Sequence, residues 1–191
     1  MLLDDFTVDP VPVTEEAPRA LSVEDALEVI TRKKAIAASR KHPGVLVLGA
    51  DTVVAYRGQL VGKADTENQV RTRLAMLADE THQVVTGIAI ARNGAHIDAA
   101  SVATEVRFAR MPPDVVDAYV ASGQWEGKAG GYGLQDPLLA PHIRIDGPWS
   151  NVVGLPLAET ARLLRDNDIA CRDPPDESWL RDHNPFDSSS R

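Results

Sequence analysis

The sequence holds a single cysteine, Cys171. One thiol excludes an intrachain disulfide and any zinc site built on paired cysteines. Aromatic residues are few, 3 Phe, 3 Trp and 3 Tyr in 191 residues, which leaves Val, Leu, Ile and Ala to fill the core. Positive charge is in deficit: 20 Lys and Arg stand against 28 Asp and Glu, a formal net charge of -8. That balance argues against a nonspecific nucleic-acid binder, whose affinity rests on clustered cations. It leaves room for a small anionic ligand held by a few local cations. No apolar run approaches the ~20 residues of a bilayer-spanning helix. The opening MLLDDFTVDP places Asp4 and Asp5 where a secretory signal carries its basic and apolar regions. These absences give the expectation of a cytoplasmic protein with neither a membrane nor a nucleic-acid partner.

What is present is ordinary globular composition, 43% hydrophobic and 25% charged. The expected organisation is one folded domain over residues 1–171 and a polar, proline-rich, disordered tail over 172–191. A helix is expected over 22–40, where Ser22 and Asp25 resemble a capping box and Val23, Ala26, Leu27 and Ile30 share a face. The run from Val45 to Tyr56 is apolar and β-branched, and reads as a strand buried on both faces. Arg57-Gly58 turns it into a short strand at 59–61, and a helix follows over 66–79. Asn93-Gly94 is the strongest hairpin signal and joins strands at 82–91 and 95–107. On the second of these, Val102, Thr104, Val106 and Phe108 share a face. Pro112-Pro113 opens a helix over 113–122. A glycine-rich loop at 123–135, a strand near 142–146, a loop through Asn151 and a helix from Pro156 to Asn167 complete the order. Helices alternating with strands, with one plain hairpin, predict an α/β fold: a mixed twisted sheet flanked by helices.

Few residues carry chemistry. Asp51 sits inside the most apolar strand, where a carboxylate is costly unless paired or bound to a cation; a strand-end Asp bonding backbone amides is the plainer alternative. Thr52 beside it fits a strand on propensity alone. Lys63, after Gly62 and just before a helix, suits a phosphate, but the segment is not a Walker A loop and a solvated lysine is the simpler account. Four glycines between Gly127 and Gly133 cost backbone entropy, and they make sense where backbone approaches a ligand, with Lys128 as counter-charge. Tyr132 offers a stacking face and Gln135 donor and acceptor groups suited to a base edge. Glu15 and Glu16 read as a solvated acidic pair. His82, His96 and His142 have no partner at ligand spacing and read as structural or exposed. These are parts for a metal-dependent phosphate reaction on a nucleotide, and they do not name it.

GADTVV at 49–54, GK at 62–63, HQVVTG at 82–87, EVRF at 105–108, KAGGYGLQ at 128–135 and NVVGLP at 151–156 together resemble the Maf family. These are nucleoside triphosphate pyrophosphatases that share a fold with inosine triphosphate pyrophosphatases. The match runs from about Glu15 to Leu157. The resemblance implies hydrolysis of a nucleoside triphosphate to the monophosphate and pyrophosphate, using a divalent cation, Mg²⁺ or Mn²⁺. It implies Asp51 as general base and metal ligand, Glu15 as an acidic residue near the metal, Lys63 and Lys128 on the phosphates, and Thr52 and Gln135 as setters of base preference. The KAGGYGLQ form looks like the dTTP/UTP branch. The resemblance leaves room for a homodimer. Ala64 stands where the family has the proline of GKP, and the Ser-x-Ser-Pro-Arg-Arg loop with which the family opens is not in the sequence. That departure implies either a start misplaced downstream of the loop or a pocket that has lost an arginine. It keeps a second function in view, a noncatalytic Maf-like protein that binds nucleotide or a partner and touches cell division.

Overall fold

The computed structural model describes residues 2–13, 21–177, 181–183 and 186. Helix α1 spans Val23–Lys41. Ser22 Oγ accepts the Asp25 amide at 3.1 Å, and the first turn carries Glu24 and Asp25 while the last carries Arg40 and Lys41, so cap and charges both suit the helix dipole. Strand β1 is Val47–Tyr56 and β2 is Gln59–Val61, paired antiparallel through Tyr56↔Gln59. Arg57 and Gly58 between them have φ of 51° and 75°, the mirror-image turn that matches strand twist.

Helix α2 is Glu67–Leu77, capped by Thr66 Oγ1 on the Gln69 amide, with Val70, Leu74 and Leu77 buried. Strands β3, Thr81–Arg92, and β4, Ala95–Phe108, meet at Asn93 and Gly94, with φ of 54° and 78°, so the predicted hairpin is there. Helix α3 is Pro113–Ala121, strand β5 is Ile143–Asp146, helix α4 is Trp149–Val153, helix α5 is Leu157–Asp166 and strand β6 is Arg181–His183. The strands form one six-stranded sheet in the order β2-β1-β3-β4-β5-β6. The α/β expectation holds.

Three expectations need correction. The strand buried on both faces is β3, which is buried from Val84 through Ala91, whereas most of β1 is only half-buried. The reason is the strand order: β3 has long neighbours on both sides, while β2 pairs only with the last residues of β1. The segment through Asn151 is not a loop but α4. The segment expected to be a disordered tail is structured in part. Arg181–His183 pair antiparallel with β5, and Glu177 accepts a hydrogen bond from Ser150 at 2.9 Å. The β4 face is as read: Thr104, Val106 and Phe108 are buried and their alternate neighbours exposed.

The chain groups into two compact units, neither of them continuous in sequence. The first is Met1–Thr52, Thr86–Val102 and Gly154–Asp176; the second is Val53–Val85, Ala103–Val153 and Glu177–Arg191. The first packs Ile88, Ile90, Leu163 and Leu164 with Leu46 and Leu48, and a smaller alanine cluster of Ala35, Ala89 and Ala91. The second is centred on Leu74, Leu77, Val106, Phe108, Tyr119 and Ile143. Aliphatic residues dominate both, as the scarcity of aromatics requires.

Candidate functional site

In the first unit α1 lies unusually close to the strands. A Cβ at Gly49 would stand 3.1 Å from the Cβ of Ala35, and one at Gly87 would stand 2.7 Å from Thr31 Oγ1 and 3.1 Å from Leu27 Cγ. Both glycines belong to motifs singled out in the sequence, and here their role is to let a helix approach. The face of α1 that uses this space runs Leu27, Ile30, Thr31, Lys34, Ala35 and Ala38, at helical spacing. Lys34 thereby lands beside Asp51, two residues beyond Gly49 on β1. The Lys34 ammonium is 3.0 Å from Asp51 Oδ1, and each side chain is 20% exposed. Asp51 is thus half-buried and charge-paired, a cheaper setting than the fully buried strand expected of it. Sequence reasoning missed Lys34, although a lone cation inside an otherwise apolar helical face was a usable signal.

Thr52 is half-buried, and its hydroxyl shares a 2.8 Å hydrogen bond with that of Thr86, which is fully buried on β3. Asp51 and Thr52 are therefore adjacent on β1, one tied to the helix and the other to the next strand.

In the second unit the glycine-rich loop is pinned to the end of β2. Ala129 forms an isolated antiparallel bridge with Lys63, and the Gly130 amide donates to the Val61 carbonyl at 3.2 Å. The structure thus brings the Gly62-Lys63 motif and the KAGGYGLQ motif side by side. Gly130 has φ of 68°, and a Cβ there would sit 2.9 Å from Val54 Cγ2, so backbone conformation and space both require glycine. The Tyr119 hydroxyl donates to the Gly131 carbonyl at 3.2 Å. Lys63 is exposed. Lys128 is half-buried, with its ammonium on the Gln124 carbonyl. Gln135 is exposed next to the buried Leu134.

Tyr132 does not offer the stacking face expected of it. Its ring is buried, edge-on to Phe108 with centroids 4.7 Å apart, and its hydroxyl lies 2.6 Å from His82 Nε2. His82 is structural, as expected, and burial pushes its pKa down to about 4. Burial also pushes the hydroxyls of Tyr119 and Tyr132 well above the usual phenol range. Asn151, from the NVVGLP motif, is a core fastener: its Nδ2 donates to the Val84 carbonyl at 2.9 Å and to Thr104 Oγ1 at 3.0 Å. Glu15 lies outside the described residues.

Among the described residues no group of three or more His, Cys, Asp or Glu could hold a metal ion. A cation arriving on a triphosphate needs less. Mg²⁺ in such sites takes one or two carboxylates and draws its other ligands from phosphate and water. Asp51, with Lys34 on one oxygen, keeps the other free of that ion pair and fits this donor set. Among the described residues no helix is long and apolar enough to cross a membrane.

A family profile described as "Maf-like protein" matches residues 1–167. The chain is 42% identical over 164 residues to a dTTP/UTP pyrophosphatase of Paramagnetospirillum magneticum, spanning 85% of this chain and 83% of the relative. It is 36% identical over 176 residues to a protein of the same name from Mesorhizobium japonicum, spanning 91% and 82%. To one from Pyrococcus horikoshii it is 35% identical over 161 residues, spanning 84% and 86%.

Proposed function

The chain belongs to the Maf-like protein family, and from that premise we propose that it hydrolyses nucleoside triphosphates, dTTP and UTP foremost, to the monophosphate and pyrophosphate. The observation that carries the chemistry is the pairing of Asp51 with Lys34 at 3.0 Å. A general base must be held still beside the proton it takes, and an ammonium 3.0 Å from one carboxylate oxygen fixes the orientation of the other.

In this reading the second oxygen of Asp51 takes a proton from the attacking water. The water oxygen bonds to the α-phosphorus, the bond from that phosphorus to the oxygen bridging it to the β-phosphorus breaks, and pyrophosphate leaves with that oxygen. Lys63 and Lys128 meet the phosphates. Lys128 can do so by turning one of its three N–H donors away from the Gln124 carbonyl. Gln135 and Thr52 meet the base edge, Gln135 from an exposed turn that leaves its amide free of packing. A divalent cation, Mg²⁺ or Mn²⁺, would be held by Asp51 and Glu15 and would neutralise charge on the phosphates.

The test is incubation of the protein with dTTP or UTP and Mg²⁺, with separate assays for pyrophosphate and orthophosphate. Equal amounts of pyrophosphate and nucleoside monophosphate are expected, and Asp51→Asn should slow the release of both. Release of orthophosphate would reject the bond assignment. Binding of dTTP without turnover would favour the noncatalytic alternative.

A further inference from the structure

Three rings from separate stretches of the chain meet in the core of the second unit: His82 from β3, Phe108 from β4 and Tyr132 from the glycine-rich loop. Their centroids lie 5.2 Å apart for His82 and Phe108, 5.4 Å for His82 and Tyr132, and 4.7 Å for Phe108 and Tyr132, each pair edge-on. All three are buried, with His82 at 3% and Tyr132 at 5% exposure. Apolar rings would fill this space without polar atoms to satisfy. Instead His82 Nε2 and the Tyr132 hydroxyl meet at 2.6 Å, and among the described residues His82 Nδ1 has no hydrogen-bond partner.

That geometry selects a tautomer. With the proton on Nε2, both the Tyr132 hydroxyl hydrogen and the Nδ1 lone pair go unmet. With Nε2 accepting, only the Nδ1 hydrogen does. Tyr132 therefore donates to a neutral imidazole, and the core carries one unmet donor to keep this bond.

The loop that gains from the bond has little shape of its own. Gly127, Gly130 and Gly131 all have positive φ. The bridge to Lys63, the Gly130 amide and the Tyr119 hydroxyl, which meets backbone at both Gly131 and Gly133, hold the loop from outside. The Tyr132 side chain adds a buried directional anchor between those two contacts, three residues before Gln135. We infer that His82 and Tyr132 are positioning residues, whose buried hydrogen bond fixes the glycine-rich loop and, with it, Lys128 and Gln135. This rests on the reading of that loop as the holder of the substrate's phosphates and base.

The experiment compares Tyr132→Phe, His82→Phe and the double variant. Each single change strands a buried polar atom and lowers Tm, whereas removing both partners leaves an apolar trio and restores it. If the pair were merely structural, kinetics would return with stability. A positioning pair predicts a stable double variant whose KM for dTTP is raised about ten- to a hundredfold, with a narrowed preference for dTTP over dCTP. Wild-type KM and preference in a stable double variant would overturn the inference. Amide hydrogen exchange over residues 128–135 reads the same device without substrate. Exchange about tenfold faster in the double variant supports it, and unchanged protection overturns it. This second measurement keeps the two readings apart, because a wild-type protein that releases no pyrophosphate removes the proposed activity and the loop's exchange still judges the anchor. Should the double variant not fold, Tyr132→Phe alone carries both comparisons.

Discussion

Lys34 and Asp51 form an ion pair at 3.0 Å between α1 and β1, each side chain one-fifth exposed. Asp51→Asn removes the base and keeps the shape, so kcat for dTTP should fall on the order of 10²–10⁴-fold with little change in Tm. Lys34→Met leaves the carboxylate in place without its orienting charge. That should cost roughly ten- to a hundredfold, the worth of one charge-assisted hydrogen bond. Steady-state kinetics on both variants checks the order: a Lys34→Met loss as deep as that of Asp51→Asn would give the lysine a direct part in the chemistry.

Gln135 and Thr52 should separate in their effects. Gln135 is exposed, so Gln135→Ala should leave stability within about 0.5 kcal/mol while discrimination among nucleotides shrinks. Thr52→Val also breaks the hydroxyl pair with Thr86, so it should lower Tm as well as change preference. A panel of canonical and modified nucleoside triphosphates, 7-methyl-GTP included, provides the measurement. Preference for 7-methyl-GTP in the wild-type protein would place the chain outside the dTTP/UTP branch.

Stability should fall in mild acid because of His82. Its pKa is near 6.5 in the unfolded chain and about 4 when folded, lowered by burial. Above pH 6.5 both states are neutral and nothing is lost. As pH drops from 6.5 towards 4 only the unfolded chain takes up the proton, which costs on the order of 3 kcal/mol by the lower limit. Thermal unfolding across that window should show the loss in wild type and a smaller one in His82→Phe/Tyr132→Phe, where the imidazole is gone.

The C-terminal segment should contribute to stability, contrary to its composition. Deleting 172–191 removes the β6 pairing with β5, the Ser150–Glu177 hydrogen bond and the contact of Arg172 with Asp4. It also removes the Arg172 amide's bond to the Leu2 carbonyl at 2.9 Å. A few hydrogen bonds at about 1 kcal/mol each should lower Tm by roughly 5–10 °C. The truncated protein should also aggregate more readily, since β5 becomes an unpaired edge. Light scattering and a melting curve on the two forms check both effects. An unchanged Tm would return the segment to the dispensable tail that its sequence suggests.

Local signals were legible in the sequence and distant ones were not. Ser22 with Asp25, Arg57-Gly58 and Asn93-Gly94 act within a few residues, and each stands where it was read. Which of two apolar strands lies in the middle depends on neighbours that no window contains, so the pattern of β1 implies a burial that belongs to β3. Helix α4 is only five residues long, too short for a periodic pattern to declare itself. Tyr132 among glycines resembled a ligand's platform because loop aromatics are usually outside, yet its ring turns inward to Phe108. Lys34 does not stand out in the sequence, because a charge on a helix is ordinarily solvated.

The close seating of α1 on Gly49 and Gly87 has a consequence for reading mutational data. Neither position carries a functional group, yet the smallest addition at either pushes on the helix that delivers Lys34 to Asp51. In a saturation scan scored by turnover, both positions should therefore lose activity as sharply as a reactive residue would, while dTTP binding through the glycine-rich loop survives. Intolerance at 49 and 87 would then report a tolerance of a few tenths of an ångström in helix placement, and not contact with the nucleotide.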